Sequence, residues 1–77
     1  LDLGNNKITD LKPLEQLRYL NGLNISNNSV KDITPLLSLP SLVTLNLIGN
    51  NEISCASIQK MKNKMSRGLL KPERCIQ

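Results

Sequence analysis

The chain has no histidine, no tryptophan and no phenylalanine, and Tyr19 is the only aromatic among its 77 residues. Without histidine it lacks the side chain that most often moves protons near neutral pH. No Ser–His or Cys–His pair can form to activate a nucleophile. Zinc takes about four nitrogen or sulfur ligands, whereas only Cys55 and Cys75 are present and they do not form a C-x-x-C pair. No glycine-rich loop is present to cradle a phosphate. No stretch reaches the roughly 18 apolar residues of a membrane-spanning helix. The chain is expected to be no enzyme, to need no cofactor or metal, and to have no membrane span.

What is present is a period. Leu1, Leu23 and Leu45 stand 22 residues apart, and the pairs Leu1/Leu3, Leu23/Ile25 and Leu45/Leu47 repeat with them. Asn6, Asn28 and Asn50 follow the same interval, as do Ile8 with Val30, Asp10 with Asp32, and Pro13 with Pro35. A period of about 20–29 residues with L-x-L followed by Asn is the pattern of a leucine-rich repeat, in which each coil buries its apolar edge against the next.

In the unit Leu20–Leu42, Leu23 and Ile25 alternate with Gly22, Asn24 and Ser26, the period of a short half-buried strand. Stacked coils place such strands side by side in a parallel sheet, near Leu1–Leu3, Gly22–Ser26 and Thr44–Leu47. Asn27-Asn28-Ser29 then marks a turn. The recurring Asn sits where the chain bends inward, and its amide can satisfy backbone groups of adjacent coils. Asn6, Asn28 and Asn50 are therefore expected to form a structural ladder rather than a ligand site. One residue more separates Leu47 from Ile53 than separates Ile25 from Val30, so either Asn50 or Asn51 fills the last rung.

The return side carries Ile33, Leu36, Leu39 and Leu42 at a spacing of three, matching Leu11, Leu14, Leu17 and Leu20. That spacing suits a 3₁₀ turn or one short α turn. Pro13 and Pro35 fit the first helical turn, where no amide donor is needed. Asp10 and Asp32 resemble a carboxylate pair, but their recurrence with the repeat favours a role in binding free turn amides. Narrow convex turns imply gentle curvature and a broad, shallow strand face, which disfavours a small-molecule pocket.

The last third differs in composition. Residues 55–77 hold Lys60, Lys62, Lys64, Arg67, Lys71 and Arg74 against Glu73 alone, whereas residues 1–54 are nearly balanced. Ser54 is an expected helix N-cap and Gly68 an expected C′ residue. Ile58, Met61 and Met65 form one apolar stripe between them. This reads as a helix laid across the end of the repeats with its charges solvated. The alternative, a phosphate-binding surface, lacks the aromatics that single-stranded nucleic acid stacks on, so no nucleic-acid partner is expected. An even cysteine count bracketing the segment points to a disulfide and an oxidising compartment, the alternative being two buried thiols that pack as small hydrophobes.

The pattern I-x-D-[L/I]-x-P-L-x-x-L-x-x-L-x-x-L-x-[L/I]-x-x-N, carried by Ile8–Asn28 and again by Val30–Asn50, resembles the 22-residue leucine-rich repeats of bacterial internalins, which are surface adhesins. The same class of repeat occurs in an intracellular phosphatase regulatory subunit. Cys55, and Cys75 after Pro72, resemble the end cap of secreted bacterial repeat proteins, and depart from the four-cysteine cap of eukaryotic extracellular ones. The resemblance implies an α/β solenoid of short parallel strands with short 3₁₀ or α convex turns and a C-terminal capping helix. Residues 1–54 are then about two and a half repeats and residues 55–77 a basic cap pinned by a Cys55–Cys75 bridge. Because Leu1 already holds a strand position, the chain is expected to be the C-terminal piece of a longer protein.

The function expected on this basis is protein binding through the exposed strand face, in a secreted, periplasmic or cell-surface bacterial protein. The face comprises Asp2, Asn24 and Asn46; Gly4, Ser26 and Ile48; and Gly22 with Thr44. The rival is a structural spacer or cap of a larger protein or enzyme. Tyr19, beside Arg18, is the one candidate aromatic contact, or else a plain surface tyrosine. Asn24-Ile25-Ser26 and Asn27-Asn28-Ser29 match the glycosylation pattern and are read as chance products of an Asn-rich repeat.

Overall fold

A computed structural model describes residues 1–77. In chain order it contains a 3₁₀ segment Lys12–Gln16, strand β1 Gly22–Asn24, helix α1 Thr34–Leu37, strand β2 Thr44–Asn46, helix α2 Cys55–Lys64 and strand β3 Leu69–Leu70. The strands form one parallel sheet in the order β1-β2-β3, with Leu23 opposite Leu45 and Leu45 opposite Leu69. The sheet therefore lies on one side of the coils and the short turns on the other. No helix is long and apolar enough to cross a membrane.

The three-residue spacing is realised differently in the two coils, as a 3₁₀ segment at Lys12–Gln16 and one α turn at Thr34–Leu37. Pro13 and Pro35 lie in the first turn of each. Just before them, Asp10 Oδ1 accepts from Lys12 N at 2.9 Å and Asp32 Oδ1 from Thr34 N at 2.9 Å. Each carboxylate thus binds an amide that the turn leaves without a backbone acceptor. The repeat-periodic side chains converge inward: Leu23, Ile25, Val30, Ile33, Leu36, Leu39, Leu45 and Leu47 all belong to one buried cluster. Burying each stabilises by roughly 1.5–3 kcal/mol.

Strand length departs from expectation. β1 stops at Asn24 rather than Ser26, and Leu1–Leu3 joins the sheet through an Asp2–Asn24 bridge rather than as a strand. The reason is local chemistry. Ser26 N donates to Asn24 Oδ1 at 2.9 Å, and the Leu3 carbonyl accepts from the Asn28 side chain at 3.0 Å. Side chains have taken the groups that would have lengthened the ladder. Asn46 repeats the device by accepting from Ile48 N at 3.1 Å, and β2 ends there.

The C-terminal segment contributes both a helix and a strand. Ser54 caps α2, its Oγ accepting from Ser57 N at 3.1 Å. Ile58, Met61 and Met65 turn into the core cluster, and α2 packs against α1. The helix ends at Lys64 with Met65 as its C-cap, earlier than the expected stop near Gly68. Gly68, at φ +79°, instead leads into β3, where a Cβ would overlap the Val43 carbonyl oxygen. Only glycine fits that approach. Leu45 N then donates to Gly68 O at 2.8 Å and Leu47 N to Leu70 O at 2.7 Å, which ties the segment to β2.

Candidate protein-binding face

Successive residues of a strand point to opposite sides of a sheet. Leu23 and Leu45 point into the core, so their flanking residues form outward columns across the coils. The register aligns Asp2, Asn24, Asn46 and Leu70 in one column, and Gly22 with Thr44 in a second that Gly68 continues. Together they floor an open trough of about 620 Å³ that runs from Leu1 and Asp2 at one edge to Leu69 and Leu70 at the other. Its breadth and openness fit a macromolecular surface better than the enclosed site a small molecule needs.

Within the trough the polar side chains are already partly committed. Asp2 Oδ1 accepts from Gly4 N at 3.0 Å, the counterpart of the Asn24 and Asn46 bonds that end the strands. The oxygens of this column therefore hold the backbone, while the Asn24 and Asn46 amide nitrogens donate to no protein group and are open to a ligand. Thr44 is exposed and Asn24 and Asn46 are half-buried.

The third expected column, Gly4, Ser26 and Ile48, does not line the trough. Ser26 is buried at 9% exposure, which corrects its assignment to an exposed face. It sits in the middle coil, with Gly4 so close that a Cβ there would lie 3.1 Å from Ser26 Oγ. Ile48 is 43% exposed. Tyr19 is 92% exposed and stands outside the trough. Gly68 and Leu70 join the face unannounced by the 22-residue period. A Gly-Leu pair recurs at Gly22-Leu23 and Gly68-Leu69, and that echo was the available signal.

The asparagine column lies beneath this face. Asn28 accepts from Ile8 N at 2.9 Å and donates to the carbonyls of Leu3, Ile25 and Ser26. Asn50 accepts from Val30 N at 3.1 Å and donates to Ile25 O at 2.8 Å and Leu47 O at 3.1 Å. Asn50 rather than Asn51 occupies this position, so the additional residue of the third coil lies after it. Asn6 is exposed and reaches only Leu3 O and Gly4 O. A neighbouring column, Asn5, Asn27 and Gly49, has left-handed backbone at φ 60°, 54° and 88°. Asn and Gly are the residues that tolerate it.

Among the return-side carboxylates, Asp32 is held below its ordinary pKa by its side-chain and backbone hydrogen bonds with Thr34. A carboxylate kept ionised by local amides on an exposed turn acts as a turn clamp, not as a general acid. Cys55 and Cys75 form a disulfide with a Cα–Cα distance of 4.9 Å. Beside it Cys55 N donates to Ile76 O at 2.8 Å and Ile76 N to Ile53 O at 2.9 Å.

The profile of the leucine-rich repeats, in two copies, matches residues 20–60, and the chain belongs to that family. Leucine-rich repeat domains commonly mediate protein–protein interaction and are typically non-enzymatic. No curated protein and no solved structure matches the chain.

Proposed function

We propose that the chain is a protein-binding module that engages its partner across the strand face, in an internalin-like protein exported by a bacterium. The carrying observation is the open trough floored by Asn24, Asn46, Gly22 and Thr44. Its free amide donors and small side chains suit an apposed polypeptide. The Cys55–Cys75 bridge supports an oxidising compartment, secreted, periplasmic or at the cell surface. In this reading residues 1–54 are the repeat block and residues 55–77 a cap, with α2 and β3 covering the apolar end of the last coil. No catalytic step, cofactor, metal or nucleic acid enters the proposal.

One observation favours the rival reading of a structural spacer. The oxygens of Asp2, Asn24 and Asn46 all serve their own backbone, so the face has an intramolecular reason for its composition. Replacing Asn24 and Asn46 with Leu, in the full-length protein used as bait, separates the two. Loss of partner capture by variants whose circular dichroism shows them still folded supports binding at this face. Unchanged capture removes the site from it.

A further inference from the structure

A second concavity adjoins the trough. It has a volume of about 220 Å³ and is lined by Lys62, Met65, Ser66, Arg67, Gly68, Leu69 and Lys71. Gly68 and Leu69 belong to both, so the two form one continuous surface at the β3 edge. Three of its lining residues are cationic and none is acidic.

The charges there are unspent. The chain's one ion pair is Lys31–Glu52, so Lys62, Arg67 and Lys71 face no carboxylate within 4.0 Å. The backbone N–H groups of Ser66, Arg67 and Gly68, which line the same pocket, donate to no group of the protein. Unpaired cations with unpaired amides in the same lining segment suit a carboxylate ligand. Toward β3 the face passes from neutral over Asn24 and Asn46 to apolar at Leu70 and basic beyond.

We infer that the partner is an extended polypeptide segment bearing an acidic side chain, which docks in the Lys62–Arg67–Lys71 pocket while the rest of the segment crosses the strand trough. An apolar residue next to the carboxylate would cover Leu70, 53% exposed at the junction. A protein carboxylate fits better than a nucleic acid, because no aromatic lines either concavity for a base to stack on. This inference rests on the strand-face reading and supplies its polarity and chemistry.

The test uses the whole oxidised chain and a displayed library of random linear twelve-residue peptides as the probe. The expected result is enrichment of peptides with Asp or Glu beside an aliphatic residue. Binding of a selected peptide should weaken about fivefold for each of Arg67→Glu and Lys71→Glu, the scale of an exposed ion pair. It should also weaken as salt rises. Replacing the peptide's acidic residue with its amide should reproduce the loss and leave the Arg67→Glu variant with no further loss. Melting curves of both variants check that they remain folded, and Arg67→Gln and Lys71→Gln should give the same ordering without charge reversal. Selected peptides that lack acidic residues yet lose binding in Asn24→Leu and Asn46→Leu overturn the inference and keep the strand face. Peptides indifferent to those two variants overturn the strand face itself. Tighter binding of a mixed-sequence single-stranded oligonucleotide through Arg67 and Lys71, with no acidic peptide enriched, overturns the inference in favour of nucleic acid.

Discussion

Removing the Asn50 side chain is the sharpest probe of how the coils are held together, because each of its three hydrogen bonds has a different fallback. Asn50 is 1% exposed. In Asn50→Ala, Ile25 O keeps the Asn28 amide and Leu47 O keeps the Asn50 backbone N–H. Val30 N has no substitute, since its one acceptor is Asn50 Oδ1 and the residue is fully buried. An orphaned buried donor costs about 1–3 kcal/mol, and each lost secondary bond about 0.5–1.5. The sum is roughly 2–6 kcal/mol, a large share of the about 5–15 kcal/mol that holds a typical domain folded. Asn28→Ala orphans Ile8 N, which is only half-buried, and should cost less. Asn6→Ala strands no donor, and water reaches its carbonyls, so it should cost under about 1 kcal/mol. Urea denaturation of the three variants, followed by circular dichroism, reads the series. Equal losses at positions 6, 28 and 50 would refute the argument, because the repeat would then be indifferent to burial.

Other consequences follow from the C-terminal segment and the turns. Gly68→Ala places a Cβ on the Val43 carbonyl at a left-handed position and should cost about 2–4 kcal/mol, with loss of Leu45 and Leu47 amide protection in hydrogen exchange. Gly22→Ala, which meets only the Thr44 hydroxyl at 3.0 Å, should be far milder. Reduction, or Cys75→Ser, reopens a loop of sequence separation 20. It should remove about 3 kcal/mol and lower the melting temperature by roughly 10–25 °C; an unchanged melting temperature contradicts the role given to the bridge. Asp32 has a depressed pKa when folded, so its stabilisation is fully present above its ordinary value of 3.8 and is lost as pH falls through the folded value. Asp32→Asn should therefore be less stable than the parent chain at pH 7, with the gap closing in acid; a gap that widens in acid would reverse the assignment.

The period made the core legible. Leu23, Leu45 and their partners had to face inward once the 22-residue interval was seen, and the asparagine at the bend had one economical role. Strand ends were harder, because Asn24 and Asn46 resemble ordinary outward residues until their oxygens are found on the Ser26 and Ile48 amides. Ser26 shows a related limit: alternation assigns a side but not the cover that a close Gly4 provides. The third strand lay outside the period altogether. Leu69-Leu70 follows Leu45-Asn46 by 24 residues, across a helix. It joins the sheet because Gly68 permits a backbone approach that no repeat position announces.

A polypeptide partner seated on the strand face is tested most directly by site-specific photo-crosslinking. Benzophenone side chains placed singly at Thr44 and Asn46 on the face, and at Ser38 and Glu15 on the turn side, would be irradiated in the full-length protein with its partner present. Adducts from Thr44 and Asn46 alone are the predicted result. Adducts from Ser38 or Glu15, with none from the face, would contradict it.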